Sequence, residues 1–486
     1  MTRRIMLSLA AVLAIGACSD QEDRSTTGPT ETPSLGSGQT RSSYVISFSA
    51  TAENELTNAI QQAGGKVKKI SRGAGLATAN SDAADFADRL RGSRGVRSVV
   101  KDRMVQWVDP NERVYRVEDL AGPTAVGSTE RFFPVQWAPK AIQAPEAWAL
   151  GQEGKGARVA ILDGGIWDQH VDIAPNLDAR RSTSFVPGQP FNVDIDPSNL
   201  WHGTHVAGIV AGADNNDNLG VIGIAPKATL IGVKVLHNGS GSFGQVIEGI
   251  LYAADPISEG GAGADIINMS LGATFLQSTD PGITELLAAL DQATTYAYGR
   301  GALVIAAAGN GDRVGHGIDH DRNRYMTVPA QSAHVIGVSA LGPVGFALGE
   351  TNFDRLAAYS NFGNSIVDLS GPGGDSELPG KATCTLAINP APPLSPSATI
   401  TQPCWAFDMV VSSCRGTTTR NVCFAAGTSM STPAVSGVAA LVVGQRGRMN
   451  PDALFTIVAN SADDLGAAGP DPVYGRGRVN ALRAVQ

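Results

Sequence analysis

Four short, almost wholly apolar runs constrain this chain most: Arg158–Leu162, Leu230–Val235, Ile266–Met269 and Ala302–Ala308. Each is bounded by Gly-rich turns, and helix-like segments lie between them. A strand with one face in water alternates polar with apolar residues. Near-continuous apolarity fits strands buried on both faces, as parallel strands are when crossover helices cover the sheet. From about Gln136 to the end, the sequence therefore predicts one large α/β domain with a mostly parallel sheet. The chain has 486 residues, 43% of them apolar, so it can fill such a core. Gly makes up 57 of them, which predicts many tight turns and close backbone approaches.

Ahead of that domain lies a unit with a different rhythm. Tyr44–Phe48 alternates like a strand, Ala52–Ala63 reads as a helix, and Val67–Ile70 and Leu76–Ala79 read as strands around a Gly turn. Ala83–Leu90 is helix-like and Val96–Val108 returns as a strand. The order β-α-β-β-α-β predicts a small ferredoxin-like α+β sandwich over residues 44–108. It is basic, with eleven Lys and Arg against six Asp and Glu from Arg41 to Val108. From Gln136 onward the count is twenty against thirty. A basic unit ahead of an acidic domain predicts electrostatic docking. The whole chain carries −8, which speaks against a generic nucleic-acid binder.

The N-terminus reads as an export signal. Arg3 and Arg4 precede the apolar stretch Ile5–Ala17, which is too short to span a bilayer comfortably. Small residues before Cys18 resemble the lipobox of bacterial lipoproteins, so Cys18 is the expected lipidation site, against ordinary cleavage near Ala17. Residues 18–43, rich in Ser, Thr, Gly and Pro, cannot repay their ordering entropy and are expected to form a flexible tether. No other apolar run approaches a membrane span.

Three motifs stand at strand or helix ends. Asp163 follows the run Val159-Ala160-Ile161-Leu162, at the carboxyl edge of the expected sheet, where ligands bind in open α/β folds. His202-Gly203-Thr204-His205 lacks the Glu of a zinc-protease helix. Gly427-Thr428-Ser429-Met430-Ser431-Thr432-Pro433 precedes the helix-like Ala434–Val443. Pro433 is expected in the first turn, where its missing N–H is harmless. That puts Ser429 at a helix N-terminus, whose dipole favours developing negative charge. The Gly-x-Ser-x-Gly elbow of α/β-hydrolases is absent, which disfavours a lipase or esterase.

Asp163, His202 and Ser429 occur in the order Asp…His…Ser, and with their flanking residues the sequence resembles the subtilisin-like serine protease family over essentially all of Tyr44–Gln486. The resemblance implies a three-layer domain and a serine endopeptidase that hydrolyses peptide bonds. Ser429 is the expected nucleophile, His202 the base, Asp163 its orienter and His205 a structural partner. Asn310, in Ala306-Ala307-Ala308-Gly309-Asn310, corresponds to the family's oxyanion Asn. Ser270-Leu271-Gly272 resembles one wall of the substrate cleft, and Ser240-Gly241 the other. A peptide between them would add a strand. Their small apolar character suggests an apolar residue before the cut.

No cofactor is expected in the chemistry. The loop Ala213–Gly220 resembles the family's calcium loop, and the resemblance implies structural calcium with Asp172, Asn216 and Asn218 as ligands, against an ordinary polar turn. His316, Asp319, His320 and Asp321 are expected in a solvated loop. The departures from the family pattern are Gly164 for Ser or Thr, Trp201 (a candidate to narrow the cleft), Ser431 and Ala434.

Within the resemblance, residues 44–108 correspond to an inhibitor-type prodomain, acting as chaperone and temporary inhibitor in cis. Residues 109–135 form the processing region and 136–486 the catalytic domain. The insert 372–424 holds Cys384, Cys404, Cys414 and Cys423. In an exported chain these predict two disulfides. Three pairings are possible; neighbours, Cys384–Cys404 and Cys414–Cys423, are preferred, and a zinc site is the alternative. The expected product is a monomer released from a lipid-anchored precursor, its membrane contact limited to that anchor. A catalytically silent, surface-anchored binding protein is the alternative.

Overall fold

The computed structural model describes residues 42–49, 53–110, 112–117, 130–194, 201–214, 220–276, 280–312, 315–389, 398–416 and 418–486. The signal, Cys18, the tether, Asn216, Asn218 and much of the processing region lie outside the described residues.

The apolar runs become parallel strands. A seven-stranded sheet runs in the spatial order Leu369–Pro372, Val335–Leu341, Leu303–Ala307, Ile266–Met269, Arg158–Asp163, Thr229–Lys234, Thr183–Ser184. Every neighbouring pair is parallel. Successive side chains on a strand point to opposite faces. Val159 and Ile161 pack with helices His202–Ala211, Thr428–Arg446 and Pro451–Asn460 on one face. Ala160 and Leu162 pack with Phe243–Ala254 and Pro281–Gly299 on the other. Both faces are therefore dry, which is why these strands carry no polar alternation. The three-layer α/β expectation holds.

The small unit has the antiparallel strand order Gly65–Ser71, Leu76–Ser81, Ser42–Phe48, Val96–Lys101, with helices Glu53–Gln62 and Phe86–Arg91. Ile46, Phe48, Leu56, Ile60, Phe86 and Leu90 form its core. The other face of its sheet, with Val45, Leu76 and Val100, packs on the helices Phe243–Ala254 and Pro281–Gly299. Charge complementarity is realised locally. Lys68 Nζ lies 3.0 Å from Glu248 and Arg103 2.8 Å from Asp280.

The last strand of this unit differs from its sequence expectation. It ends at Lys101, and a separate strand, Met104–Gln106, leaves the small sheet to pair with Ser240–Ser242. The physical cause is Asp102, whose Oδ1 accepts the Gly244 N–H at 3.0 Å and ties the chain to the large domain.

Cys384 pairs with Cys404 and Cys414 with Cys423. The region between Pro372 and Phe424 is not a single appended lobe. Its first part is a hairpin of Thr383–Ile388 and Ala398–Pro403 packed on Phe132 and Val135. Its second part is core: Val410, Cys414 and Cys423 are buried with the main cluster, and Val422–Ala426 feeds directly into the helix bearing Ser429. Among the described residues, no helix is long and apolar enough to cross a membrane.

Candidate active site

Each motif ends at the same edge of the sheet. Asp163 is the last residue of its strand, Asn310 follows Leu303–Ala307, and Ser270–Gly272 follow Ile266–Met269. His202 opens one helix and Ser429 is the second residue of another. Parallel strands bring their carboxyl ends together, so residues far apart in sequence converge there.

Asp163 and His202 are both about 1% exposed, so their hydrogen bond is almost free of competing water. His202 Nδ1 lies 2.9 Å from each carboxylate oxygen of Asp163. Asp163 Oδ1 also accepts the Gly164 N–H at 2.6 Å. Two charged groups that sequence reasoning missed support this pair. Asp194 Oδ2 accepts the Gly203 N–H at 2.7 Å, and the Lys234 ammonium donates to the Gly164 carbonyl. Burial pushes the Lys234 pKa down, while the charges of Asp194 and Asp163 pull it back up. Gly164 now has a reason: a Cβ there would stand 2.2 Å from Asp194 Oδ1. The Asp194 carboxylate fills the space a Ser or Thr side chain would need.

The helix that carries Ser429 begins earlier than expected. It spans Thr428–Arg446, so Pro433 lies inside it rather than in its first turn. Proline lacks the N–H that would bond the carbonyl four residues back. That carbonyl belongs to Ser429, and it accepts the Ser270 hydroxyl at 2.8 Å instead. Thus Pro433 frees a backbone acceptor, and Ser270 uses it to tie the expected cleft wall to the turn that carries Ser429. Ser270 is itself held by Asn268 Nδ2 at 3.0 Å, and Asn268 by Ser436 at 2.9 Å. Ser429 Oγ lies 3.3 Å from the Ser270 carbonyl.

Asn310 Oδ1 accepts from the Thr428 N–H at 2.8 Å and the Thr428 hydroxyl at 2.7 Å. This fixes its amide, and Nδ2 lies 3.3 Å from where a Cβ on Gly427 would stand. The same point is 2.4 Å from Glu112 Oε1, and Glu112 Oε2 lies 3.4 Å from His202 Nε2. A carboxylate of the chain itself therefore occupies the pocket among His202, Gly427 and Asn310. No local sequence pattern announced Glu112; only the threading of residues 104–117 brings it there.

Described residues on both sides of Glu112 are paired with the large domain. Upstream, Trp107 N donates to the Gly239 carbonyl and Trp107 O accepts the Gly272 N–H, both at 2.9 Å. Gln106 pairs with Ser240 and Val105 with Gly241. The Trp107 indole N–H donates to the Gly241 carbonyl at 2.8 Å. The two expected cleft walls are thus bridged by the chain's own strand. Leu271 is buried. Downstream, Arg113–Val117 pairs antiparallel with Val422–Ala426.

His205 is buried, and its Nε2 lies 3.0 Å from the Cys423 carbonyl. Trp201 is buried, edge-on to Trp167, and its ring lies 4.4 Å under the Arg415 guanidinium. It holds a left-handed backbone at φ 60°, an unusual conformation for so bulky a residue. Ser431 donates to the Thr428 carbonyl at 2.9 Å, and Ala434 is buried core.

Of the expected calcium ligands, Asp172 is described. It is fully buried, and its Oδ2 accepts the Val221 N–H at 2.9 Å. Of the other acidic and histidine cluster, His316 and Asp321 are exposed as expected. His320 is not: it is buried, with Nε2 3.3 Å from Thr327 Oγ1. Among the described residues no group of three His, Cys, Asp or Glu side chains converges as a metal site.

Residues 154–477 match the model of the subtilase family, peptidase S8. Thermitase of Thermoactinomyces vulgaris is 33% identical over 354 residues, covering 72% of this chain and 96% of that protein. Subtilisin Savinase of Lederbergia lenta is 32% identical, covering 72% and 99%. Among solved structures, the epidermin leader peptide processing serine protease of Staphylococcus aureus superposes with a TM-score of 0.65 at 20% identity, over 92% of this chain and 98% of that one. Fervidolysin of Fervidobacterium pennivorans gives 0.62 at 20% identity, over 93% and 62%.

Proposed function

The chain belongs to the subtilase family of serine-type endopeptidases, and on that footing we propose that Asp163, His202 and Ser429 form its triad, with Asn310 completing the oxyanion hole. Subtilases need no cofactor for catalysis. In this reading Ser429 Oγ attacks the scissile carbonyl while His202 Nε2 takes its proton. Asp163 holds the imidazole with Nδ1 protonated and stabilises the imidazolium. The oxyanion is received by Asn310 Nδ2 and the Ser429 N–H, and His202 then returns the proton to the leaving amine. The observation that carries the reading is the carboxylate of Glu112. A carboxyl group is held beside His202 Nε2, Gly427 and Asn310, where an oxyanion would form.

Residues 44–108 act in this reading as a prodomain whose C-terminal strand fills the cleft between Ser240-Gly241 and Ser270–Gly272, as a substrate would. Cleavage within 109–135 would release it. Cys18 would anchor the precursor by lipid, and the exported catalytic domain would leave the membrane on maturation as a monomer. Asp172, Asn216 and Asn218 would hold a calcium ion that stabilises the loop 213–220. The alternative of a catalytically silent binder is not favoured.

The test compares the full-length chain with its Ser429→Ala variant, both expressed with their signal. The wild type should yield a new N-terminus within 109–135 and a catalytic fragment outside the membrane fraction. The variant should stay full-length and membrane-bound. A variant cut at the same position and rate would refute self-processing by Ser429. A processed fragment that stays in the membrane after high salt would refute release.

A further inference from the structure

The segment Arg113–Val117 occupies a place that the catalytic chemistry does not require. It forms the third strand of a small sheet, in the order Val410–Ser413, Val422–Ala426, Arg113–Val117. The register sets Arg113 opposite Ala426, Tyr115 opposite Phe424 and Val117 opposite Val422. The strand Val422–Ala426 runs straight into Gly427-Thr428-Ser429. A chain paired with it is therefore delivered to the nucleophile in fixed register, downstream of the bond to be cut.

Two side-chain contacts make this more than backbone pairing. The Tyr115 ring stands edge-on to Trp405 at 5.7 Å and packs on the cluster that contains Phe132 and Phe424. The Arg113 guanidinium donates to the Ser376 carbonyl at 3.2 Å and hydroxyl at 2.9 Å. Trp405 and Ser376 both lie in the 372–424 region, and Trp405 adjoins Cys404, which the disulfide to Cys384 holds in place.

We propose that Val422–Ala426 and Trp405 form a docking site for the leaving side of extended peptide substrates, selective for an aromatic residue at the position now held by Tyr115. This rests on the protease reading above and on the displacement of residues 113–117 during maturation. Once they leave, Val422–Ala426 becomes an edge strand with unpaired N–H and C=O groups, a template for an incoming strand. The chain's own segment shows which occupant fits: an extended peptide with an aromatic ring on Trp405.

The test uses the wild-type processed enzyme and three substrates. Two are internally quenched peptides with identical upstream residues. Downstream, one copies residues 112–117 and the other carries Tyr115→Ala. The third is a chromogenic anilide with the same upstream residues and nothing downstream. Cut positions are read by mass spectrometry. The Tyr peptide should exceed the Ala peptide about tenfold in kcat/KM, the scale of one aromatic contact with its burial. That ratio should fall towards one in Trp405→Ala and persist in Trp405→Phe. Anilide hydrolysis with equal rates for the two peptides in the wild type would overturn this proposal alone. Failure to hydrolyse even the anilide would overturn the protease reading, and this proposal with it.

Discussion

Gly427→Ala is the sharpest perturbation of the site. Gly427 has φ 174°, an extended backbone that alanine adopts without strain. The folded chain should therefore tolerate it, and the loss of unfolded-state freedom is worth about 0.4–1 kcal/mol in its favour. The new methyl, however, would stand 2.4 Å from Glu112 Oε1 and 3.3 Å from Asn310 Nδ2. An ordinary contact needs roughly 3.4 Å or more, so an oxygen bound there must move by about 1 Å. A misplacement of that size costs on the order of 10²-fold in rate. The assay is the half-time of precursor self-cleavage at low protein concentration, with the melting temperature measured in parallel. Self-cleavage slowed at least about 10²-fold with an unchanged or slightly raised melting temperature is expected. A folded variant that matures at the wild-type rate would refute the placement of the oxyanion beside Gly427.

Three further outcomes follow. Asn310→Ala should lower kcat about 10²–10³-fold with little change in KM, the magnitude known for the equivalent donor of subtilisin itself, a relative of this chain. His170 is buried against the Asn421 carbonyl, and desolvation lowers its pKa from 6.5 to about 4. The unfolded chain binds this proton below pH 6.5 and the folded chain only near pH 4. His170 therefore costs stability as pH falls through that window, about 3 kcal/mol by pH 4. Urea unfolding of Ser429→Ala protein with and without His170→Gln should show that pH slope disappear. The comparison is needed because Asp408, raised by burial to about 6, acts with opposite sign over the same range. Chelation of calcium from processed Ser429→Ala protein should lower its melting temperature if Asp172 and the loop 213–220 hold the ion; an unchanged value would remove calcium from the account.

The legible part of the site was the part carried by local sequence. Asp163, His202 and Asn310 sit where a buried strand stops or a helix starts, and such boundaries are written in a few adjacent residues. Both faces of the sheet were legible for the same reason, in the unbroken apolarity of Val159–Leu162. What was missed depends on the chain meeting itself at long range. Glu112 reaches His202 because the residues around it are held at long range, Asp102 by Gly244 and Trp107 by Gly239 and Gly272. Asp194 and Lys234 converge on Gly164 from separate elements. Pro433 was misplaced because proline usually marks a helix's first turn. Here the five residues before it are already helical, and Ser270 takes up the carbonyl that Pro433 leaves without a backbone donor.

The central claim is that Ser429 is a nucleophile activated by His202. The most direct measurement is reaction of the processed wild-type enzyme with a fluorophosphonate probe, followed by peptide mapping of the adduct. The account predicts one stoichiometric adduct, on Ser429, whose formation slows by orders of magnitude in His202→Ala. A correctly folded, processed wild type that stays unlabelled, or carries its adduct on another residue, would contradict it.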